Sequence, residues 1–458
     1  MDSLLSRDCT EQLIDCANRH GILLEMVQAL TDLDLVISKS YISSDGGWLM
    51  DVFHVTDQDR NKLTDESLVH YIQQALNEAI SSKEVSSHIT ELPNTLSVVN
   101  LGVEFATTDH PGLFSEISAA LLGLGFNVTS ATAWTHNHRV ACVIHLEDAA
   151  KPGPVNDSER LAHVRERLQS VVEACHGGEE GKRVRLRLWN FGARRHHTDR
   201  RLHQMMHADG DFDSRSYGAC NGEKKNVSVG RYEEKGYWVV NVRSRNRPKL
   251  FFDTVCVLTD MKYEVFHASV TSNTSMADQN RIGRPVLETT INGNYEQEYF
   301  VKPKGGSNLD NESEKQKLTL CLMAAIERRV SHGLKVDICT QDRRGLLSRV
   351  TRVIRENGLS ITKVKIGVEG ETAVGSFYVA DSSGEDVNPN IAELVRRETG
   401  GSVVANYHSP YTPLSLGKTM HETKSTTQVT SRFSLGNMLW SQLECLSDNF
   451  LPTRSWKL

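Results

Sequence analysis

The chain has 458 residues, more than one ordinary core holds, so about three or four domains are expected. Hydrophobic residues make up 39% and charged residues 24%, a soluble globular balance, and the net charge of -6 argues against a chain devoted to nucleic acid or anionic membrane. The nine cysteines are odd in number and form no C-x-x-C pair, which favours free thiols in a reducing compartment over a disulfide framework or a zinc site.

In chain order, the start MDSLLSRDCTEQLIDC lacks the charged head and long apolar stretch of a signal peptide. No run approaches the roughly 20 apolar residues of a membrane span, so a cytoplasmic protein is expected, with no membrane partner. The strand signal EQLIDCA leads into NRHGILLEMVQAL from Asn18, a helix pattern, and then into the β-branched LVISKSYIS. Asp45-Gly46-Gly47 is hairpin chemistry, and ESLVHYIQQALNEAI reads as a second amphipathic helix. This first unit begins at about Thr10, so the sequence is expected to be short at its N-terminus.

The same order returns three times. LGVEFAT, DHPGLFSEISAAL from Asp109, FNVTSATAW, ERLAHVRERLQSVVEAC and RVRLRLW make a second unit. WVVNVRS, NRPKLFFDTVCVL from Asn246, YEVFHASVT and EKQKLTLCLMAAIERRV make a third. LKVDICT, DRRGLLSRVTRVI from Asp342, LSITKVKIG, a turn at Glu369-Gly370-Glu371, IAELVRRE and SVVANYH make a fourth. Three positions after each leading Asn or Asp stands Gly21, Gly112, Lys249 or Gly345. Four such copies are the signature of an internal repeat. The last strand is plain in the fourth unit, plausible in the second and unclear in the first and third.

Each unit therefore reads β-α-β-β-α-β: an antiparallel sheet with two helices on one face, an α+β, ferredoxin-like arrangement. Such a sheet leaves edge strands and a bare face, so neighbouring units should pair side by side. The expected boundaries are residues 10–90, 98–190, 236–308 with a second helix at 312–331, and 334–412. Residues 191–235 are expected as a linker, residues 271–292 as an insertion in the third hairpin, and 413–458 as a Ser/Thr-rich tail carrying a weak helix.

The stretches ANRHGILLEMVQALTDLDL, YISSDGGWLMDVFHVTDQD, TDHPGLFSEISAAL, HTDRRLHQMM, RSRNRPKLFFDTVCVLTDMKYEVFHA, CLMAAIERRVSHGLK and RENGLSITKVKI resemble the plant ACT-domain repeat family, whose members consist almost wholly of four ACT domains. The tail segment SRFSLGN fits as well. The resemblance implies a ferredoxin-like ACT fold, binding of free amino acids and no catalytic residues; no cofactor is expected. ACT domains also form the end of the bacterial uridylyltransferase that reads glutamine, which makes glutamine a candidate ligand. That enzyme's catalytic domains have no room in this chain.

The loops ahead of the helices supply a mechanism. A helix starting at Gly112 offers unpaired backbone N–H groups and the positive end of its dipole to a carboxylate, and glycine lets a ligand approach closely. Asp109, and Asn18 or Asp342 in the sister loops, can hold the ammonium group of the same ligand. The candidate ligand-binding residues are therefore Asn18, Gly21, Asp109, Gly112, Asp342 and Gly345. The competing reading makes each Asn or Asp an ordinary helix N-cap. Lys249 breaks the pattern, so the third loop is expected to be structural or altered in preference.

Residues 182–204 hold eight Lys/Arg against one acid. A connector is favoured over a nucleic-acid arm because stacking aromatics are sparse, only Trp189 and Phe191; a nuclear import signal stays open. His136, His138, His196, His197 and His203 lack a convergent ligand set and are expected at the surface, so no metal is assigned. No phosphate-binding G-x-x-x-x-G-K-[ST], G-x-S-x-G or H-E-x-x-H motif occurs. The alternative to an amino-acid sensor is a scaffold whose ACT units bind only other proteins.

Overall fold

The computed structural model describes residues 9–45, 47–81, 101–150, 153, 155–174, 185–190, 197–212, 226–233, 236–273, 294–304, 309–330, 333–381 and 387–407. The expected insertion beyond residue 273, the tail and any last strand of the first unit lie outside them.

Unit 1 comprises β1 (Thr10–Ala17), α1 (Ile22–Asp32), β2 (Val36–Asp45), β3 (Trp48–Thr56) and α2 (Glu66–Ser81). Unit 2 comprises β4 (Leu101–Thr108), α3 (Leu113–Gly123), β5 (Phe126–His136), β6 (Arg139–Asp148), α4 (Ser158–Ala174) and β7 (Arg185–Asn190). Helix α5 (Thr198–Ala208) follows. Unit 3 is β8 (Val227–Tyr232), β9 (Tyr237–Arg245), α6 (Leu250–Asp260), β10 (Tyr263–Asn273), β11 (Asn294–Pro303) and α7 (Glu312–Arg328). Unit 4 is β12 (Leu334–Gln341), α8 (Leu346–Glu356), β13 (Leu359–Glu369), β14 (Thr372–Asp381), α9 (Ile391–Thr399) and β15 (Ser402–Tyr407).

The local causes are those the patterns suggest. In α8, Leu346, Val350, Val353 and Ile354 recur at helical spacing and are buried. In β12 the burial alternates strictly, with Leu334, Val336 and Ile338 inward. The hairpin between β5 and β6 turns on Asn137 and His138, both at positive φ (48° and 59°), the backbone a tight two-residue turn demands.

All sheets are antiparallel, and the four units merge into two of them. A seven-stranded sheet runs β1-β3-β2-β10-β11-β9-β8, and an eight-stranded sheet runs β15-β12-β14-β13-β5-β6-β4-β7. Pairing is therefore between alternate units, 1 with 3 and 2 with 4, rather than between neighbours along the chain. At the first seam Tyr41 lies opposite Ser269, and at the second Thr132 lies opposite Lys365. Helices α1 and α6 pack together across one seam, α3 and α8 across the other. A hydroxyl contact of 2.9 Å between Ser118 and Thr351 marks the second helix pair. Each pair has its own large apolar core between helices and sheet.

Two features went unread in the sequence. Among the described residues no strand closes unit 3 after α7; β8, which precedes the unit, pairs antiparallel with β9, as β15 does with β12. The stretch expected as linker thus contains both this strand and α5. Leu202, Met205 and Met206 of α5 pack on Ala106, Trp134, Ala141 and Val143, covering part of the open face of the eight-stranded sheet. The open face of the other sheet leaves Leu13, Tyr41, Trp48 and Met50 exposed.

Candidate functional site

Each first helix starts from a left-handed residue: Gly21, Gly112, Lys249 and Gly345 at φ 88°, 86°, 62° and 75°. None of these four starts carries a side-chain cap bond. The capping role proposed for the preceding Asn or Asp is thereby corrected. Asn18 instead donates from Nδ2 to Ser44 Oγ at 2.6 Å, and Asn246 does the same to Ser272 at 3.2 Å. The first-turn amides of α1, α3, α6 and α8 thus keep the anion-attracting character of an uncapped helix start.

Each loop glycine faces the partner unit's first helix. A Cβ on Gly21 would lie 3.9 Å from Thr259 Cγ2, one on Gly112 3.0 Å from Arg355 Cδ, and one on Gly345 2.9 Å from Leu122 Cδ2. Thr259, Arg355 and Leu122 occupy the same place in their respective helices. Side-by-side pairing thus sets every loop against a neighbour, and the loops differ in what they meet. At Gly112 the stem of Arg355 fills the approach, and its guanidinium bonds Glu116. Asp109 beside it is largely buried, and burial pushes its carboxyl up to about 6, against the opposing pull of His138 and the His110 amide.

At Gly345 a pocket opens across the seam between units 2 and 4. Its wall includes Asp342, Gly345, Leu347 and Ser348 from the loop and start of α8, and Leu122 and Asn127 from unit 2. It encloses about 30 Å³, room for a water or two. Asn127 Oδ1 is buried there without a hydrogen-bond partner.

Asn127 was not singled out from the sequence. Its signal is relational: a register shift recurs in the first long strand of every unit, after Ile37, Val128, Val265 and Ile361, and aligns the copies. The residues equivalent to Asn127 are then Val36, Glu264 and Ser360. Only the Gly345 loop faces a carboxamide at this position.

The histidine expectation needs correction. His138 is exposed, but His203 is buried and bonds Asp253 at 2.8 Å, while His136 Nδ1 meets Asp211 at 2.9 Å. These are bonds inside the fold; among the described residues no group of three His, Cys, Asp or Glu is placed to hold a metal ion. Of the basic stretch, Arg200 and Arg201 bond Asp260 and Glu104, so this part is packed on the fold rather than solvated. Among the described residues no helix is long and apolar enough to cross a membrane.

Residues 5–83 match the family description "ACR family N-terminal ACT domain", and residues 336–400 match "ACT domain". The chain is 44% identical to the ACT domain-containing protein ACR1 of Arabidopsis thaliana, over 96% of this chain and 92% of that one. It is 44% identical to ACR3 of the same plant, over 89% of this chain and 86% of the relative. A bifunctional uridylyltransferase/uridylyl-removing enzyme of Gluconobacter oxydans is 25% identical over 37% of this chain and 20% of its own length. A solved protein of unknown function from Galdieria sulphuraria is 17% identical over 40% of this chain and all of its own, with a TM-score of 0.16. The long ACR matches support a regulatory, ligand-sensing and non-enzymatic role. The chain belongs to the plant ACR family of ACT-domain proteins.

Proposed function

We propose that the protein is a sensor of a free amino acid, bound at the seam between units 2 and 4. The observation that carries this reading is one pocket lined both by the uncapped helix start at Gly345 and by Asn127, whose buried carboxamide oxygen is unpartnered. A ligand α-carboxylate fits the amides at the start of α8, where the helix dipole favours negative charge. Its ammonium group fits between the Asp342 carboxylate and Asn127 Oδ1, and Leu122 limits the side chain. The pocket as it stands is a small, partly open one, and binding of a whole amino acid is taken to widen the seam. That widening is also the signal: ligand occupancy shifts the arrangement of units 2 and 4.

Calorimetric titration with the twenty amino acids, beginning with glutamine, tests this. At least one should bind in the millimolar range or tighter. Gly345→Val, a β-branched residue at positive φ against Leu122, should weaken that binding at least tenfold. Asn127→Leu should lose binding while leaving stability unchanged or raised, because it removes an unsatisfied buried polar atom. Absence of any binding, or binding indifferent to both substitutions, would refute the site.

A second reading is supported by a separate observation. Leu13, Trp48 and Met50, each more than half exposed, cluster on adjacent strands β1 and β3 of the uncovered sheet face. Such a patch suits contact with another protein, and the scaffold reading predicts a partner without any small-molecule response.

A further inference from the structure

The third loop, with Lys249 in place of glycine, is the exception among the four. Its cation does not point into free space. Lys249 Nζ donates to Asp199 Oδ2 at 3.1 Å, and Arg329 donates to the same carboxylate at 3.0 Å. Asp199 stands in the first turn of α5, the helix that neither repeat unit accounts for. By the alignment of the copies, the other side of this seam is the end of α1. Helix α5 reaches that side as well. His197, its N-cap, accepts the Arg200 amide on Nδ1 at 3.1 Å, so Nε2 carries the proton and donates to Asp32 at 2.9 Å. The first turn of α5 therefore straddles the seam between units 1 and 3, one residue on each bank.

We propose that this seam is a carboxylate-binding site whose occupant is built into the chain: the Asp199 side chain engages the cations of the loop and of the α7 end, Lys249 and Arg329, as a free carboxylate would, and α5 is its tether. Burial alone would raise the Asp199 carboxyl, yet Arg329 and Lys249 hold it well below the usual carboxylate range, so the occupant is ionised. The substitution of Lys249 for glycine then has a reason. A ligand supplied by the chain needs a strong anchor more than a close backbone approach, and an ammonium on a flexible stem supplies one. The tether also has a fixed far end. The apolar side of α5 is seated on Trp134 of unit 2, and the Arg329 guanidinium lies 4.6 Å over the same ring. Units 1 and 3 are thus held in a permanently occupied arrangement and clamped to the pair that carries the open pocket. This holds whether or not the Gly345 seam takes a free amino acid.

Chemical rescue separates this from a merely structural ion pair. Asp199→Ala leaves Lys249 Nζ and Arg329 Nη1 facing a space the size of a carboxylate, while Nε and Nη2 of Arg329 stay bonded to Asp253. In the full chain, its melting temperature should fall by several degrees. Tens of millimolar sodium formate, compared with chloride at equal ionic strength, should restore a substantial part of the loss in the variant and do nothing comparable in the wild type. The double variant Asp199→Ala/Lys249→Met should lose most of the rescue. Equal formate effects in all three proteins would overturn the proposal. If Asp199→Ala does not fold, hydrogen exchange on Asp199→Asn decides: loss of protection at the start of α6 and the end of α1 is expected, and unchanged protection there would overturn it.

Discussion

Asp51 lies on the helix-covered face of β3 and is fully buried. Neither of its oxygens has a hydrogen-bond partner of normal geometry, and burial pushes its carboxyl up to about 8, with the Ser43 amide only partly opposing. The folded protein therefore holds a proton there that the unfolded chain releases near pH 4. Where the native state binds more protons, stability falls as pH rises, here across the window from about 4 to about 8, by up to about 1.4 kcal/mol per unit. Denaturant titrations at pH 5 and pH 8 should show the wild type losing on the order of 3–4 kcal/mol more than Asp51→Asn over that interval. A wild type and variant with the same pH slope would show that Asp51 is solvated or paired in solution. Nothing in WLMDVFHVT announces this: alternation places the residue inward, but only the fold reveals that no partner waits there. The same holds for Asn127, which reads as an ordinary strand residue until a distant loop is set against it. The loop glycines, by contrast, were legible, because positive φ ahead of a helix leaves a mark in the residue type itself.

Helices and strands of the repeats were legible for a similar reason: each carries its period and its breakers within its own segment. Helix α5 was not. Its apolar residues, Leu202, Met205 and Met206, are few, and the buried His203 interrupts them with a polar side chain whose partner, Asp253, belongs to another unit. A basic composition then reads as a solvated connector. Strand β8 is not legible because the repeat's order places a closing strand after α7, not before β9. Substitutions rank the contacts that fix α5. Met206 is fully buried against the sheet, so Met206→Ala should cost roughly 2–5 kcal/mol through lost contacts and a cavity. Arg200, partly exposed and paired with Asp260, should cost less than about 1 kcal/mol when changed to Gln. Equilibrium unfolding of the two variants checks the order. Equal costs would mean that charge rather than packing seats the helix.

At the scale of the whole molecule, the sequence foretells side-by-side pairing but points to neighbouring units, whereas the structure pairs alternate ones. An edge strand offers the same row of N–H and C=O groups to any comparable strand, and the seam residues Tyr41, Ser269, Thr132 and Lys365 carry no pattern that names a partner. The observed choice interleaves the chain: units 1 and 2 each wait for a partner from the second half. Two halves cut between residues 190 and 191 would therefore contain no complete pair. Alone, residues 1–190 should expose the unpaired edges of β2 and β5 and associate or precipitate, and residues 191–458 should expose those of β10 and β13. Co-expressed, the halves should form one soluble 1:1 complex, since every seam then crosses between them. Pairing between neighbours along the chain would give the opposite result, two independently soluble halves that ignore one another. Size-exclusion chromatography of each half and of the mixture distinguishes the cases. The interleaved arrangement also delays folding of the first half until the second is made, because its long-range strand contacts must bear the loop-closure entropy of about half of the chain. Refolding of the intact protein should accordingly be slower than association of preformed pairs would require, and a 1–190 fragment that refolds to a stable monomer would contradict the topology.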